Sequence, residues 1–233
     1  MCLFLLCLPG MAEAACRQAL SMALDVSSSV DDAEYRLQLE GVATALNAPA
    51  VRDILFRQPE APIRVHVFEW SGPVNQTVIV PWTTINTQDD LSRITRALLS
   101  HQRGVAAPTT SIGSALLAGF AYLEEHSDCW KRTLDISGDG VTNTGPPPET
   151  ITEDQRPAGV VVNGLVIGAG AVDRGDGIFL TIEQVTAYYQ DKVIRGPGAF
   201  VETALGYTAY AAAMERKLLR ELASIAIGEL VLP

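Results

Sequence analysis

Two stretches constrain the fold of this chain more than anything else in it: "ALSMALDV", residues 19–26, and "VVVNGLVI", residues 160–167. Both are short and mostly apolar, and neither shows the polar alternation of a strand with one wet face. Strands buried on both faces belong to parallel sheets covered by helices.

The intervening sequence supplies the helices. Residues 31–46 carry Tyr35, Leu39, Val42 and Leu46 at spacings of four, three and four, which predicts a helix. "IRVHVFEW", residues 63–70, alternates, with Ile63, Val65 and Val67 on one face. A short strand over 77–82 follows through "SGPVNQ" as in a hairpin, and Pro81 places it at a sheet edge. Thr87 followed by Asp90 is a capping-box start, with Leu91, Ile94 and Leu98 as the buried stripe of the next helix. Further helices are predicted over 110–125, 182–193 and 207–223, the last with Tyr210, Met214, Leu218 and Leu222 on one side. Strands are predicted over 132–137 and 199–204. "GPPPETITEDQRP" reads as a proline-rich loop with room for a helical turn. The order is a hairpin, then strand–helix alternation. It gives an α/β fold with a doubly wound, mostly parallel sheet, one antiparallel edge strand and helices on both faces. No repeat or linker divides residues 16–233, so they are expected to form one domain.

With 233 residues, 48% of them hydrophobic, the chain can bury a full-sized core. Seventeen Lys and Arg against 27 Asp and Glu give a net charge of −10 with no basic block, which argues against nucleic acid and anionic membrane surfaces as partners. Beyond the start, no run of 18 apolar residues suggests a membrane span.

The first residues, "MCLFLLCLPGMAEAAC", combine a short apolar core, a helix breaker and the small-residue site Ala12-Glu13-Ala14, as a secretory signal over 1–15 does. No Lys or Arg precedes Arg17, which leaves open a start further upstream or a buried first strand. Export to the periplasm or beyond is the favoured reading. Cys16 and Cys129 then remain, each ahead of an apolar run that ends in an aspartate, by nine residues to Asp25 and ten to Asp139. If the two runs are neighbouring parallel strands, both cysteines lie at one end of the sheet and a disulfide is expected; otherwise they are two separate buried thiols.

In such a sheet, ligands bind beyond the carboxyl ends of the strands. Three oxygen-rich loops fall at such ends or at helix starts: "DVSSS" from Asp25, "PTTSIGSAL" from Pro108, and "ISGDGVTN" around Asp139. Oxygen donors suit hard divalent cations. Mg²⁺ takes about six oxygens at roughly 2.0–2.1 Å, and two aspartates with three hydroxyls leave room for water. In D-x-S-x-S, Ser27 and Ser29 face the same way, while Ser28 points elsewhere or caps a helix.

The set D-x-S-x-S, T-x-x-G-x-A-L and S-G-D-G resembles the metal-ion-dependent adhesion site of von Willebrand factor type A domains, and within that fold an uncharacterised family of exported bacterial proteins. The resemblance runs from about Cys16 to Ala223. It implies Asp25, Ser27 and Ser29 as ligands from the first loop, Thr110 rather than Thr109 from the second, and Asp139 from the third. It also implies a divalent cation (Mg²⁺ first, Mn²⁺ or Ca²⁺ as alternatives) and a partner protein presenting an Asp or Glu to it. The family more often has Thr-Asp-Gly where this chain has Gly138-Asp139-Gly140. The chemistry expected is coordination and not catalysis, since no histidine lies in the three loops. The alternatives are a metal-assisted phosphoester hydrolase and a structural domain whose loop oxygens only cap helices.

Several other signals are weaker. "VIGAGAVDRGDG" lacks the third glycine of a dinucleotide fingerprint. His66, His101 and His126 have no zinc-like spacing and are read as core or surface residues. Asp135, about 13 Å up the strand from Asp139, is expected to have a buried structural partner such as an Arg. Glu69 and Trp70 end their strand at the metal edge and are candidates for a rim that touches the partner.

Overall fold

A computed structural model describes residues 16–168, 172–173 and 179–228. The expected signal over 1–15, and most of the glycine-containing loop after Gly168, lie outside the described residues. Strand β1 (Cys16–Asp25) leads to helices α1 (Asp32–Asn47) and α2 (Pro49–Leu55). The hairpin β2 (Ile63–Trp70) and β3 (Gln76–Ile85) follows, then α3 (Gln88–Ser100) and α4 (Ile112–Glu124). After them come β4 (Cys129–Gly138), β5 (Val160–Ile167), the short pair β6 (Val172–Asp173) and β7 (Phe179–Leu180), α5 (Ile182–Tyr188), β8 (Val201–Ala204) and α6 (Tyr210–Gly228).

The main sheet has the order β3-β2-β1-β4-β5-β8. Every neighbouring pair in it is parallel except β2–β3. Pro81 lies in β3, the edge strand, where a missing N–H costs no ladder bond. β1 is buried along its whole length. Leu20, Met22 and Leu24 face a core shared with α1, α2, α3 and α6, and Ala19 and Ala23 face a second core shared with α4 and α5. That two-sided burial is why the run "ALSMAL" shows no polar alternation.

The helix starts follow local chemistry. Asp31 caps α1 in a reciprocal box with Glu34, and Thr87 caps α3 in a box with Asp90. Two details differ from the sequence reading, and a third fills in what it left room for. α2 is an additional helix of seven residues with proline in its first turn. The helix expected over 182–193 ends as α at Tyr188 and continues as a π turn, Tyr189–Val193. The proline-rich loop holds two 3₁₀ turns, Pro148–Thr150 and Glu153–Gln155.

Cys16 and Cys129 are register partners on β1 and β4 and form a disulfide, with Cα atoms 4.3 Å apart. The bridge joins positions 113 apart in sequence. Replacing both cysteines by serine should cost about 2–4 kcal/mol in urea unfolding under oxidising conditions. An unchanged midpoint would mean that the bridge adds nothing.

Asp135, in β4, is fully buried and pairs with Lys217 of α6, not with the expected arginine. Lysine reaches it because α6 crosses that face of the sheet and can bury a long stem while delivering one charge.

Candidate metal centre

β1 and β4 lie side by side and deliver their terminal aspartates to the same edge of the sheet. Cys16 pairs with Cys129 and Leu24 with Ser137, so the offsets of nine and ten residues put Asp139 one position beyond the level of Asp25. Asp25 is fully buried, and Asp139 is 6% exposed. Asp25 Oδ1 accepts the Ser27 backbone N–H at 2.8 Å. The hydroxyls of Ser27 and Ser29 are 3.2 Å apart, and Ser29 donates to Asp139 Oδ1 at 2.7 Å. The first and third loops are thus joined through a serine.

Ser28 points away, as the alternation predicts, and donates to the Pro108 carbonyl at 2.7 Å, which fastens the second loop to the first. Thr110 donates its N–H to Asn143 Oδ1 at 2.9 Å, and its carbonyl accepts the Asn143 N–H at 3.0 Å, which fastens the second loop to the third. Thr110 is 6% exposed, and its hydroxyl has no hydrogen-bond partner among the described residues. Helix capping does not account for the serines, because Asp31 caps α1.

The electrostatics are those of a site built for positive charge. Burial, then the nearby Asp139 charge, pushes the pKa of Asp25 up to about 8, against a smaller downward pull from Ser27. Asp139 is also raised, chiefly by burial. Asp25 Oδ2 is buried with no hydrogen-bond partner among the described residues. Two close buried carboxylates, one with an orphaned oxygen, are costly unless a proton or cation sits between them. The donor set fits a hard divalent ion held by oxygen.

Three contributors carried no readable signal in sequence. Arg103 donates to the carbonyls of Val26 and Ser27 at 2.9 and 3.2 Å and pairs with Asp32 at 3.0 Å, bracing the first loop from behind. Tyr189 and Tyr207 are buried near both carboxylates, and burial with that negative charge holds their hydroxyl pKa values well above the ordinary one.

Glu69 and Trp70 are corrected. They pair with Leu24 and Asp25 in the sheet, so they do end at this edge, but both are buried and form no rim. The segment before Thr110 folds over Glu69, which accepts the Tyr35 hydroxyl at 2.9 Å and lies 3.4 Å from His101 Nε2, and a Cβ on Gly104 would sit 3.1 Å from Glu69 Oε1; Trp70 lies in the core shared with α4. His66 is a core residue bonded to Ser21 at 2.9 Å, and burial lowers its pKa to about 4. His126, Asp128 and Cys129 cluster at the other end of β4. There the sulfur is committed to the disulfide, and Arg64 bonds His126 and Asp128 at 3.1 and 2.9 Å.

The comparisons fit this architecture. The profile of a family described as "Protein of unknown function (DUF1194)" matches residues 15–226, nearly the whole chain. The chain belongs to the DUF1194 family. No curated protein matches this DUF1194 sequence. Among solved structures it is similar to proximal thread matrix protein 1 of the mussel byssus. There the TM-score is 0.61 at 16% identity, over 91% of this chain and 49% of the other. It is also similar to the pilus adhesin SpaC from Lactobacillus rhamnosus GG in an open conformation, with a TM-score of 0.61 at 16% identity, over 91% and 30%. A von Willebrand factor type A protein from Catenulispora acidiphila gives 0.59 at 12%, over 90% and 43%. The DUF1194 chain therefore has the von Willebrand factor type A fold, and it spans half or less of each of these three chains. The mussel protein has also been solved with a zinc-occupied MIDAS motif, at a TM-score of 0.52 and 17% identity over 91% and 49%.

Proposed function

We propose that the DUF1194 protein is an exported, metal-ion-dependent protein-binding domain. Asp25, Ser27, Ser29, Thr110 and Asp139 hold a divalent cation, Mg²⁺ by preference and Mn²⁺ or Ca²⁺ as alternatives. The cation's open position takes an Asp or Glu of a partner protein. The observation that carries this reading is the pair of buried aspartates at the ends of β1 and β4, linked through Ser29, with Asp25 Oδ2 left without a partner. Two carboxylates and neutral hydroxyls leave the ion with an unfilled shell, so an external carboxylate is a natural further ligand. The role is coordination and not turnover. The disulfide supports a place in the periplasm or outside the cell. Among the described residues, no helix is long and apolar enough to cross a membrane.

Thermal melts with added Mg²⁺ or Mn²⁺ test the cation. A ligand at 100 times its Kd adds about 2.7 kcal/mol, which for a chain of this size is a rise in Tm of about 5–10 °C. Asp25→Ala should abolish the rise, and an equal rise in that variant would overturn the assignment. Pull-down from an extract of exported proteins, with and without EDTA, tests the partner; the expected result is a band that EDTA removes.

A further inference from the structure

Away from the metal edge, four polar side chains meet in the core between the sheet and α6. Asp135 of β4 and Asn163 of β5 are register partners, so both side chains leave the same face of the sheet. Opposite them, α6 presents Lys217 and Glu221, one turn apart on one side of the helix. None of the four is more than 2% exposed.

The Lys217 amine touches the Asp135 carboxylate at Oδ1 and donates to Glu221 Oε1 at 2.6 Å. The Phe200 ring lies 5.3 Å from the same nitrogen. Apart from this contact with the amine, neither Asp135 oxygen has a hydrogen bond among the described residues. Asn163 accepts the Phe200 N–H at 3.1 Å, which orients its amide to donate to Glu221 Oε1 at 2.5 Å. An amine, a carboxyl group and a second carboxylate are thus held together in a dry site.

Two opposite charges are costly there, and moving one proton from the amine to Asp135 removes both. Burial lowers the pKa of Lys217, which favours the free amine, a good nucleophile. Its target is already in contact, the arrangement that makes an otherwise slow condensation effectively unimolecular.

We propose that Lys217 and Asp135 join through a side-chain amide bond after folding, with Glu221 as the proton carrier. The Lys217 nitrogen attacks Cγ of the protonated Asp135. Glu221 takes one proton from that nitrogen and delivers it to the departing hydroxyl. The Nζ–Cγ bond forms, one Cγ–Oδ bond breaks and one water leaves; nothing is oxidised or reduced. The product is neutral and ties α6 to β4 covalently.

Mass spectrometry of the folded chain, reduced and denatured for the measurement, tests the bond. The wild type should weigh one water less than its sequence. Trypsin should release a fragment that joins the segment after Arg132 to the segment after Arg216. Lys217→Met and Asp135→Ala each remove a reactant and should keep the full mass, folded or not. Glu221→Gln, with its fold checked by near-ultraviolet circular dichroism, should link about 100-fold more slowly and stay mostly at full mass. A wild type of full sequence mass would overturn the bond, and so would a water loss that survives Lys217→Met. Linkage in Glu221→Gln as complete as in the wild type after the same time would overturn the role of Glu221.

Discussion

Lys217→Met is expected to remove about 3–5 kcal/mol of stability, because it leaves a buried carboxylate without its counter-charge. Lys217 is fully buried and pairs with Asp135 of β4 and with Glu221, one turn along α6, at 2.6 Å. Asn163 of β5 donates to the same Glu221 oxygen at 2.5 Å, and Lys131 donates to the Glu221 carbonyl at 3.0 Å. Burial lowers the pKa of Lys217, and the Glu221 charge opposes that shift. Without the lysine, Asp135 is fully buried, and neither of its oxygens has a hydrogen bond among the described residues. In this size range 1 kcal/mol moves Tm by about 2–4 °C, so the midpoint should fall on the order of 10 °C. The triple change Lys217→Met, Asp135→Leu and Glu221→Leu should recover much of the loss, since an apolar replacement of a whole buried network is often close to neutral. Urea unfolding at neutral pH measures both. A single-variant loss below about 1 kcal/mol, the range of an exposed pair, would remove the cluster as a tie between α6 and the sheet.

The second large effect concerns pH in the absence of metal. Asp25 has a pKa of about 8 in the folded chain against an ordinary 3.8, with burial and then Asp139 as the causes. Between those values the folded form holds a proton that the unfolded form has lost. Stability in EDTA should therefore fall as pH rises from about 4 to 8, by at most roughly 1.4 kcal/mol per pH unit for one proton, and level off above. A cation saturating the proposed site would take the place of the proton, so Mg²⁺ should flatten or reverse the slope. Asp25→Asn should flatten it without metal and abolish the response to Mg²⁺. Equal slopes in wild type and Asp25→Asn would show that the aspartate pair does not carry this charge. The measurement is the unfolding midpoint against pH in three buffers of matched ionic strength.

Much of this site was legible because it is written at fixed distances from strand ends. The lengths of the runs before Asp25 and Asp139 set the β1–β4 register, and the register set the disulfide. The alternation in "DVSSS" separated Ser27 and Ser29 from Ser28, and hydrogen bonds to different loops bear the separation out. What stayed hidden depends on segments folding over one another. Glu69 and Trp70 look like a rim until the residues before Thr110 cover the first and the core against α4 takes in the second. Asp135 called for a cation, but nothing in its neighbourhood along the chain named Lys217, which arrives on the last helix. Tyr189 reads as one more aromatic on a helix, and only the folded chain lays its ring against Gly164 of β5 with its hydroxyl beside Gly138 of β4. The helix α2 was missed because seven residues after a proline are too few to show a period.

The bare backbone of Gly138, beside the buried Tyr189 hydroxyl, has a consequence for inheritance. With only 2.6 Å between a Cβ at 138 and the Tyr189 oxygen, position 138 is not free to mutate while the tyrosine stays. A larger residue at 138 therefore requires the phenol at 189 to go, so the two positions are expected to covary across DUF1194 sequences.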